Sequence, residues 1–357
     1  MRGVSVGKKL LFLILFGILL FSLNGGTALA SSSRNMVSCA KNNKVSRGKW
    51  VKNSSGIRYK KKSGTYIKDA WCYIDGYVYY FDGRGYVKTK SFLYNGSYYY
   101  ADSQGKVYIS KWRKSGTKTY YYGSGGARVK GWKTIKGKTY YFSRTGEMVT
   151  SSWVGNSYVG KDGVRVASKT VNGRKINKSG EIQSISSKDK YIIVGASRIV
   201  DMSVAVNSSN TIFIAQSGQG YNWLKSTAGP RLMSYLKQNP NCKVIFQLGN
   251  NDVKNITSYI SYYRALMKKY PETEFYFMDA TPCSGTVASK NKTRQQFNAK
   301  LKAVFGNLCV GGYDYLVSIH FTTVDGIHYT PDISKKLYNY VIQAVNRVSA
   351  ANAAASK

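Results

Sequence analysis

The sequence predicts two folded units, an all-β solenoid of stacked β-hairpins followed by an α/β unit in three layers, α/β/α, around a parallel sheet. Two observations carry this prediction. A tyrosine-rich unit recurs about every 20 residues in the first half of the chain. In the second half, apolar runs of strand length alternate with stretches of helical spacing. A chain of 357 residues is long enough for both units.

The first thirty residues have the pattern of a secretory signal peptide. Arg2, Lys8 and Lys9 precede an apolar run over residues 10–21, and small residues stand at Ala28 and Ala30, where a signal peptidase would cleave. The run is shorter than the ~20 residues that a membrane-spanning helix needs. We therefore expect cleavage after Ala30 and a secreted protein that keeps no transmembrane anchor.

The chain is strongly basic, and the excess charge is unevenly distributed. Its 54 lysines and arginines against 16 acidic residues give a net charge of +38. Residues 31–183 hold 31 basic and 7 acidic residues, whereas residues 184–357 hold 20 and 9. A secreted protein has little access to nucleic acid, so this charge favours teichoic acids, acidic polysaccharides or membrane surfaces as partners, and the alternative of a basic face that only aids solubility stays open.

The residues that usually hold metals are scarce. The chain has two histidines, and its five cysteines include no Cys-x-x-Cys pair, so we expect neither a metal site nor an organic cofactor. An exported chain can form disulfides, but the pairing of five cysteines stays open.

The repeats lie in residues 48–183, after an amino-terminal segment of residues 31–47. Tyrosine-rich units close on Gly85, Gly105, Gly126 and Gly146, at spacings of 20, 21 and 20 residues. Tryptophan follows the same period, with Phe92 in one place. Each unit has the pattern of a β-hairpin, which cannot bury its rings alone, so successive hairpins must stack.

This pattern resembles the choline-binding and glucan-binding repeats of Gram-positive cell-wall proteins. The matching elements are the Gly131-Trp132 step, the Tyr140-Tyr-Phe142 strand and the closing glycine turn. The resemblance implies that rings of neighbouring hairpins bind choline or sugars, although any single ring could instead belong to the core. The candidate ligand-binding residues are Trp71, Tyr80, Trp112, Tyr121, Trp132, Tyr141 and Trp153. The ligand stays open between a choline-bearing polymer and the anionic or zwitterionic polymer that the charge favours.

The second unit follows a polar linker of residues 184–190 and covers residues 191–349, before a tail of residues 350–357. Continuous apolar runs predict buried parallel strands at residues 191–195, 211–215, 243–249, 274–279 and 313–317. Helical spacing between them predicts helices that cover both faces of the sheet. In such sheets the functional residues collect at the carboxyl ends of the strands.

Four short blocks fall at those ends or in a late loop. They are Gly195-Ala-Ser197, Ser217-Gly-Gln-Gly-Tyr221, Gly249-Asn-Asn-Asp252 and Asp325-Gly-Ile-His328. A serine hydroxyl becomes a good nucleophile when an imidazole takes its proton, and the imidazole needs an acceptor that fixes its tautomer. Ser197, His328 and Asp325 supply these three groups. The other histidine, His320, ends an apolar run, and we expect it to serve packing.

The four blocks, in this order, resemble those of the SGNH (GDSL-type) serine hydrolases. The resemblance implies a flavodoxin-like three-layer fold and a catalytic triad of Ser197, Asp325 and His328. It further implies an oxyanion hole built from the backbone N–H of Ser197, that of Gly218 or Gly220, and the side chain of Asn251. One position departs from the family pattern, because Ala196 stands where an aspartate is usual.

These features together predict a secreted esterase, retained at a Gram-positive-type cell wall, that removes acetyl or other short acyl groups from carbohydrate. The repeats would anchor the enzyme to the envelope and raise its effective concentration on an insoluble substrate. Two alternatives stay open. Ala196 allows a catalytically weak protein that mainly binds the wall, and the same triad could serve a lipid esterase or an acyltransferase.

Overall fold

The structure is a computed structural model that describes residues 36–355. The predicted signal peptide lies outside the described residues. A short helix, α1 (Met36–Asn42), opens the described part, and its buried Met36 and Ala40 pack in one cluster with Trp71. No helix within residues 36–355 combines the length and the apolarity that crossing a membrane requires.

The amino-terminal half is a series of two-stranded antiparallel hairpins, followed by a small three-stranded antiparallel sheet. The hairpins are β1 (Gly48–Asn53) with β2 (Gly56–Lys61), β3 (Ala70–Ile74) with β4 (Tyr77–Phe81), β5 (Lys90–Tyr94) with β6 (Ser97–Ala101), β7 (Lys111–Ser115) with β8 (Lys118–Tyr122), β9 (Gly131–Ile135) with β10 (Lys138–Phe142), and β11 (Ser152–Val154) with β12 (Ser157–Val159). The small sheet contains β13 (Thr170–Val171), β14 (Arg174–Ile176) and β15 (Ile182–Ser184).

The hairpin turns explain why glycine recurs in each unit. In the turn between β5 and β6, Asn95 and Gly96 have φ angles of 45° and 74°. Two successive positive φ angles define the tight turn whose twist matches a β-hairpin, and asparagine followed by glycine adopts it at the lowest cost. The same turn recurs at Asp75-Gly76, with φ angles of 48° and 86°. Local sequence therefore determines the register of these hairpins.

Successive hairpins are joined through the segment that follows each closing glycine. The backbone N–H of Val107 donates to the carbonyl of Val78 at 2.9 Å, and that of Arg128 donates to the carbonyl of Tyr98 at 2.8 Å. Each closing segment thus bonds to a strand of an earlier hairpin. The stack of hairpins predicted from the tyrosine and tryptophan period is confirmed.

The second half contains a five-stranded parallel sheet, also as predicted. Its strand order is β17-β16-β18-β19-β20. The strands are β16 (Tyr191–Gly195), β17 (Thr211–Ala215), β18 (Lys243–Gln247), β19 (Phe275–Met278) and β20 (Cys309–Gly311). Chain order reverses between β16 and β18, which is the position where ligand sites form in sheets of this kind.

Helices cover both faces of the sheet. They are α2 (Ser197–Val206), α3 (Tyr221–Trp223), α4 (Gly229–Leu236), α5 (Ile256–Lys269), α6 (Asn291–Phe305), α7 (Tyr313–Ser318) and α8 (Pro331–Ala355). Along β16, Ile192 packs in one cluster with Leu232 of α4, whereas Ile193 packs in a second cluster with Leu337 of α8. Alternate residues of one strand thus face opposite helical layers. Helix α8 continues to Ala355, into the segment predicted as a tail.

One strand prediction is wrong. Residues 313–317, expected to form the last strand, form helix α7, and the last strand β20 ends at Gly311. Gly311 and Gly312 have φ angles of 73° and 128°, which end an extended strand. The Asp279 carboxylate then accepts the backbone N–H of Tyr313 at 3.1 Å and holds the first turn of the helix.

The two halves share a continuous interface. Trp153 of β11 is 1 % exposed and packs in the same core cluster as Ile212 of the sheet. Arg174 of β14 forms a buried ion pair with Asp189 and also donates to the carbonyl of Thr211 at 3.0 Å. The end of the hairpin array is therefore built into the hydrophobic core of the second unit.

Candidate active site

The structure brings the three predicted catalytic side chains into one hydrogen-bonded chain. Ser197 is the first residue of α2, directly after β16 and Ala196. Its Oγ lies 2.8 Å from Nε2 of His328, although 131 residues separate the two in sequence. Nδ1 of His328 lies 2.8 Å from Oδ2 of Asp325. This order of hydroxyl, imidazole and carboxylate is the one that general-base activation of a serine needs.

The Asp325 carboxylate is held by its own loop. Its Oδ1 accepts the backbone N–H of His328 at 2.8 Å and that of Ile327 at 3.1 Å, while the His328 ring bonds to the same carboxylate. Burial raises the pKa of Asp325, but the hydrogen bonds from the side chain and backbone of His328 outweigh it, and the pKa lies well below its usual value. The carboxylate is therefore charged at neutral pH and can fix the ring of His328.

The predicted oxyanion donors lie on neighbouring loops. The side-chain amide of Asn251 donates to the carbonyl of Gln219 at 2.7 Å, which places it against the loop that contains Gly218 and Gly220. An amide NH₂ group has two hydrogens, so one is left for a substrate oxygen. The backbone N–H of Ser197 adds a donor at the first turn of α2, where no helical carbonyl can accept it.

Gly218 and Gly220 differ in their surroundings. Gly218 has a φ of 78°, and no atom lies within 4 Å of the position that a Cβ would take. Gly220 is extended, and a Cβ there would lie 2.4 Å from the carboxylate of Asp252. The backbone N–H of neither glycine donates a hydrogen bond to a described residue, so both stay candidates for the oxyanion hole.

Asp252 ties the second and third sequence blocks together. Its carboxylate accepts the backbone N–H of Tyr221 at 2.7 Å and the hydroxyl of Tyr259 at 2.8 Å. Together with the close approach of Gly220, these contacts fix the loop that carries the candidate oxyanion donors. Asp252 thus has a structural role, which is to position this loop.

The turn before the nucleophile is tightly packed. A Cβ on Gly195 would lie 2.3 Å from the side chain of Ile199 and 2.8 Å from the carbonyl of Gln247, so only glycine fits. Ala196 is buried in the core cluster, and its carbonyl accepts the backbone N–H groups of Ile199 and Val200. A small apolar side chain therefore occupies the position where the family usually has aspartate.

Arg198 makes contacts across this region that the sequence did not predict. Its buried guanidinium donates to the carbonyl of Ile327 at 2.9 Å and to the carbonyl of Pro282 at 2.9 Å, and it also bonds to Thr281. It lies over the ring of Tyr329, 4.7 Å from the centroid. One side chain next to Ser197 thus anchors the loop that carries His328. No local sequence signal distinguishes this arginine from the many surface cations.

A residue of the repeat array also reaches this region. Arg144, in the turn after β10, donates through Nε to the carboxylate of Asp201 at 3.1 Å and through Nη2 to Oγ of Ser217 at 3.5 Å. Asp201 lies one helical turn beyond Ser197. Burial raises the pKa of Asp201, and the charge of Arg144 opposes that effect. The array therefore contributes a charge beside the candidate site, which the sequence pattern did not predict.

His320 does not serve packing, and that prediction is wrong. His320 is exposed and has a φ of 51°, two residues after helix α7 ends at Ser318. Residues 316–318 of the apolar run 316–321 belong to this helix and not to a strand. His320, which follows the helix, therefore faces solvent.

The candidate ring residues of the array form cross-strand pairs with different exposure. The ring centroids are 5.1 Å apart in Trp71–Tyr80, 4.9 Å in Trp112–Tyr121 and 5.1 Å in Trp132–Tyr141. Trp112 and Trp132 are 37 % and 39 % exposed, so a ligand can reach them, whereas Trp71 is buried.

The expectation that Trp153 binds a ligand is wrong. Its ring is buried in the core that the array shares with the sheet unit. The guanidinium of Arg174 covers the ring at 4.8 Å from its centroid. No face of this ring is open to a choline or sugar.

Within residues 36–355, no group of three or more His, Cys, Asp or Glu side chains could hold a metal ion. All five cysteines lie in this part of the chain and are unpaired there.

Comparison with known proteins supports the repeat array. Residues 109–153 match the choline-binding repeat. Choline-binding protein F from Streptococcus pneumoniae is similar at 30% identity over 38% of this chain and 47% of its own, with a TM-score of 0.35. The chain thus spans about half the length of that protein.

Two further solved structures share a weaker likeness. The modular autolysin LytC from Streptococcus pneumoniae, in complex with a synthetic peptidoglycan ligand, is 18% identical over 72% of this chain and 76% of its own, with a TM-score of 0.34. Truncated alternansucrase from Leuconostoc mesenteroides is 22% identical over 32% of this chain and 10% of its own, with a TM-score of 0.20. None of the curated proteins matches the chain. The family match thus lies within the hairpin array and covers residues 109–153.

Proposed function

We propose that this protein is a secreted, wall-associated serine esterase of the SGNH type that removes O-acetyl or other short acyl groups from cell-wall or extracellular carbohydrate. The observation that carries the proposal is the chain of hydrogen bonds from Oγ of Ser197 through His328 to Asp325, at 2.8 Å for each step. The side chains come from two distant blocks of the sequence and meet at the carboxyl edge of a parallel sheet.

The proposed reaction has two steps. Oγ of Ser197 attacks the ester carbonyl as Nε2 of His328 takes its proton, and the backbone N–H of Ser197 with the amide of Asn251 stabilises the negative oxygen. The carbonyl re-forms, the alcohol leaves with the proton from His328, and an acyl-serine remains. Water then attacks the acyl group as His328 takes its proton, and the acid leaves when His328 returns that proton to Oγ of Ser197.

A carbohydrate substrate is favoured by the residues around the site. Gln219, Tyr221 and Asn250 lie in the blocks that hold the candidate oxyanion donors, and their polar side chains can form hydrogen bonds with hydroxyl groups. Choline-binding repeats bind choline-bearing wall polymers, so they would hold the enzyme on an insoluble glycan and raise its effective concentration there.

The experiment compares the mature chain with Ser197→Ala in the hydrolysis of p-nitrophenyl acetate and butyrate. We expect turnover by the parent that falls from acetate to butyrate. Removal of a nucleophilic serine lowers kcat on the order of a million-fold, which here means to the background rate. Ser234→Ala, the same change at an exposed position of α4, should behave as the parent does.

Equal background rates in the parent and in Ser197→Ala would contradict the proposal and would favour a protein that mainly binds the wall. If the parent is active, release of acetate from O-acetylated wall polymer, compared with the de-O-acetylated polymer, identifies the substrate class. Faster cleavage of long-chain esters than of acetate would instead favour the lipid esterase.

A further inference from the structure

A cavity of about 420 Å³ lies where the repeat array meets the sheet unit. We call it the junction pocket. The array lines it with Trp132, Tyr141 and Arg165, and the sheet unit lines it with Ser217 and Arg231. Its volume falls in the range of small-molecule sites, about 300–1,000 Å³.

The lining of the junction pocket is strongly basic. It contains Lys130, Arg144, Arg165 and Arg231 against one carboxylate, that of Glu181. Arg231 pairs with Glu181 at 2.7 Å, and Arg144 pairs with Asp201 at 3.1 Å. Lys130 and Arg165 form no ion pair with a described residue. Two positive charges are therefore left to attract an anion into a partly enclosed space.

The aromatic wall of the pocket suits a sugar better than a quaternary ammonium. Trp132 is partly exposed, and its ring centroid lies 5.1 Å from that of Tyr141. The guanidinium of Arg165 already lies 5.7 Å from the Trp132 centroid, so a second cation would meet a like charge there. The next tryptophan of the period, Trp153, is buried and cannot complete a cage.

The pocket also has a hydrogen-bond donor in need of an acceptor. Asn156 lines it and is 6 % exposed. Its Oδ1 accepts the hydroxyl of Tyr235 at 2.9 Å, whereas its buried amide nitrogen has no partner among the described residues. A carboxylate, phosphate or hydroxyl oxygen of a ligand would satisfy this group.

The junction pocket adjoins the candidate active site. Val200 lines it and lies three residues beyond Ser197 on α2, about 4.5 Å along the helix axis. Ser217 lines it and directly precedes Gly218, a candidate oxyanion donor. A polymer that occupies the pocket therefore has its neighbouring units close to the nucleophile.

We propose that the junction pocket binds an anionic sugar unit, bearing a carboxylate or a phosphodiester, of the same glycan that carries the scissile ester. The last hairpins of the array then belong to the substrate-binding surface of the enzyme and do more than anchor it. Binding of the anion depends on the pocket alone, whereas its coupling to ester cleavage rests on the proposed function.

Binding is measured on the full mature chain with Ser197→Ala, so that no turnover interferes. The probes are tetragalacturonate for the carboxylate, a ribitol-phosphate tetramer for the phosphodiester, and maltotetraose as the neutral oligomer. We expect Arg165→Gln to raise the Kd of an anionic probe about tenfold through loss of one charge-assisted contact, and Lys130→Gln to raise it in the same direction. Arg113→Gln is the matched control, because Arg113 is also an array arginine over an aromatic ring, 4.2 Å from the centroid of Tyr100.

Tighter binding of either anionic probe than of maltotetraose, weakened by Arg165→Gln and Lys130→Gln but not by Arg113→Gln, supports the proposal, and the preferred probe identifies the source of the charge. Equal binding of anionic and neutral probes overturns it, as does equal weakening by the Arg165 and Arg113 variants. In the active chain, Arg165→Gln should raise KM for an acetylated acidic glycan, whereas Arg113→Gln should leave both that KM and p-nitrophenyl acetate hydrolysis unchanged. Absence of p-nitrophenyl acetate hydrolysis in the parent would instead count against the esterase, whatever the binding result.

Discussion

Trp112 and Trp153 occupy equivalent places in the repeat period but have opposite environments. Trp112 is 37 % exposed and pairs with Tyr121 across its hairpin, whereas Trp153 is 1 % exposed inside the core of the sheet unit. In the array, each hairpin shares a few rings with its neighbours and leaves others at the surface. At the junction, the same ring type becomes a structural contact. A repeat period therefore identifies equivalent positions without showing which of them bind ligand and which join domains.

The largest expected effect is that of Asp325→Asn, which should impair catalysis by the sheet unit and leave wall binding by the array intact. The variant loses the carboxylate that fixes the tautomer of His328, so kcat should fall about 10⁴-fold. Binding of the variant to isolated cell walls should stay unchanged, because the repeats lie elsewhere. Steady-state hydrolysis of p-nitrophenyl acetate and a wall-sedimentation assay check the two halves of this prediction.

Asp314→Asn is the control, since Asp314 is an exposed carboxylate at the start of α7. An Asp325→Asn variant that keeps more than a tenth of the parent rate would show that the carboxylate does not orient the ring.

Because Trp153 packs in the core that joins the array to the sheet unit, its replacement should cause a large loss of stability. Trp153→Ala should lower the free energy of unfolding by about 3–5 kcal/mol through lost burial and the cavity left behind. Trp112→Ala removes the same side chain from a partly exposed position, and its loss should be clearly smaller. Urea denaturation followed by circular dichroism measures both, and equal losses would contradict the difference between the two environments.

The buried ion pair of Arg174 and Asp189 should make the hairpin array and the sheet unit unfold together. Arg174→Met leaves Asp189 buried without its partner, which costs about 3–5 kcal/mol. We expect a lower unfolding midpoint and a separate, earlier transition of the hairpins in differential scanning calorimetry. Lys336→Met breaks an exposed ion pair on α8 and should leave the midpoint unchanged. An unchanged thermogram for Arg174→Met would show that the pair does not join the regions.

A smaller effect is expected in the pH dependence of stability. The folded-state pKa of Asp325 lies below its unfolded value of about 3.9, so its contribution is present above that pH and is lost as pH falls through the folded pKa. The parent should be more stable than Asp325→Asn at pH 7, and the difference should shrink below about pH 4. Urea titrations of both proteins from pH 7 to pH 3 test this, and a constant difference would contradict it.

Sequence patterns predicted the elements whose signals are local. The strands over residues 191–195 and 211–215 match the apolar runs, because a buried parallel strand needs little beyond continuous apolar residues. Ser197 and His328 could be paired from the sequence because their blocks contain the hydroxyl and the imidazole that a serine nucleophile requires. Helix α7 was mistaken for a strand, since a short apolar run suits either element until Gly311 and Gly312 are seen to end the sheet.

Contacts between distant segments could not be predicted. Arg198 reaches the carbonyls of Ile327 and Pro282, more than 80 residues away in each case, and a lone arginine carries no sign of such partners. The docking of Arg144 beside Asp201 likewise depends on how the array meets the sheet unit. Long-range packing, which no local pattern encodes, decides these positions.

The most direct test of the central claim is covalent labelling of the native protein with a fluorophosphonate, followed by intact-mass measurement and peptide mapping. An activated serine reacts with this reagent because its neighbouring imidazole takes the hydroxyl proton. The account predicts one adduct, on Ser197, that is absent from Ser197→Ala and strongly reduced in His328→Ala. An unlabelled parent, or equal labelling of the parent and Ser197→Ala, would contradict it.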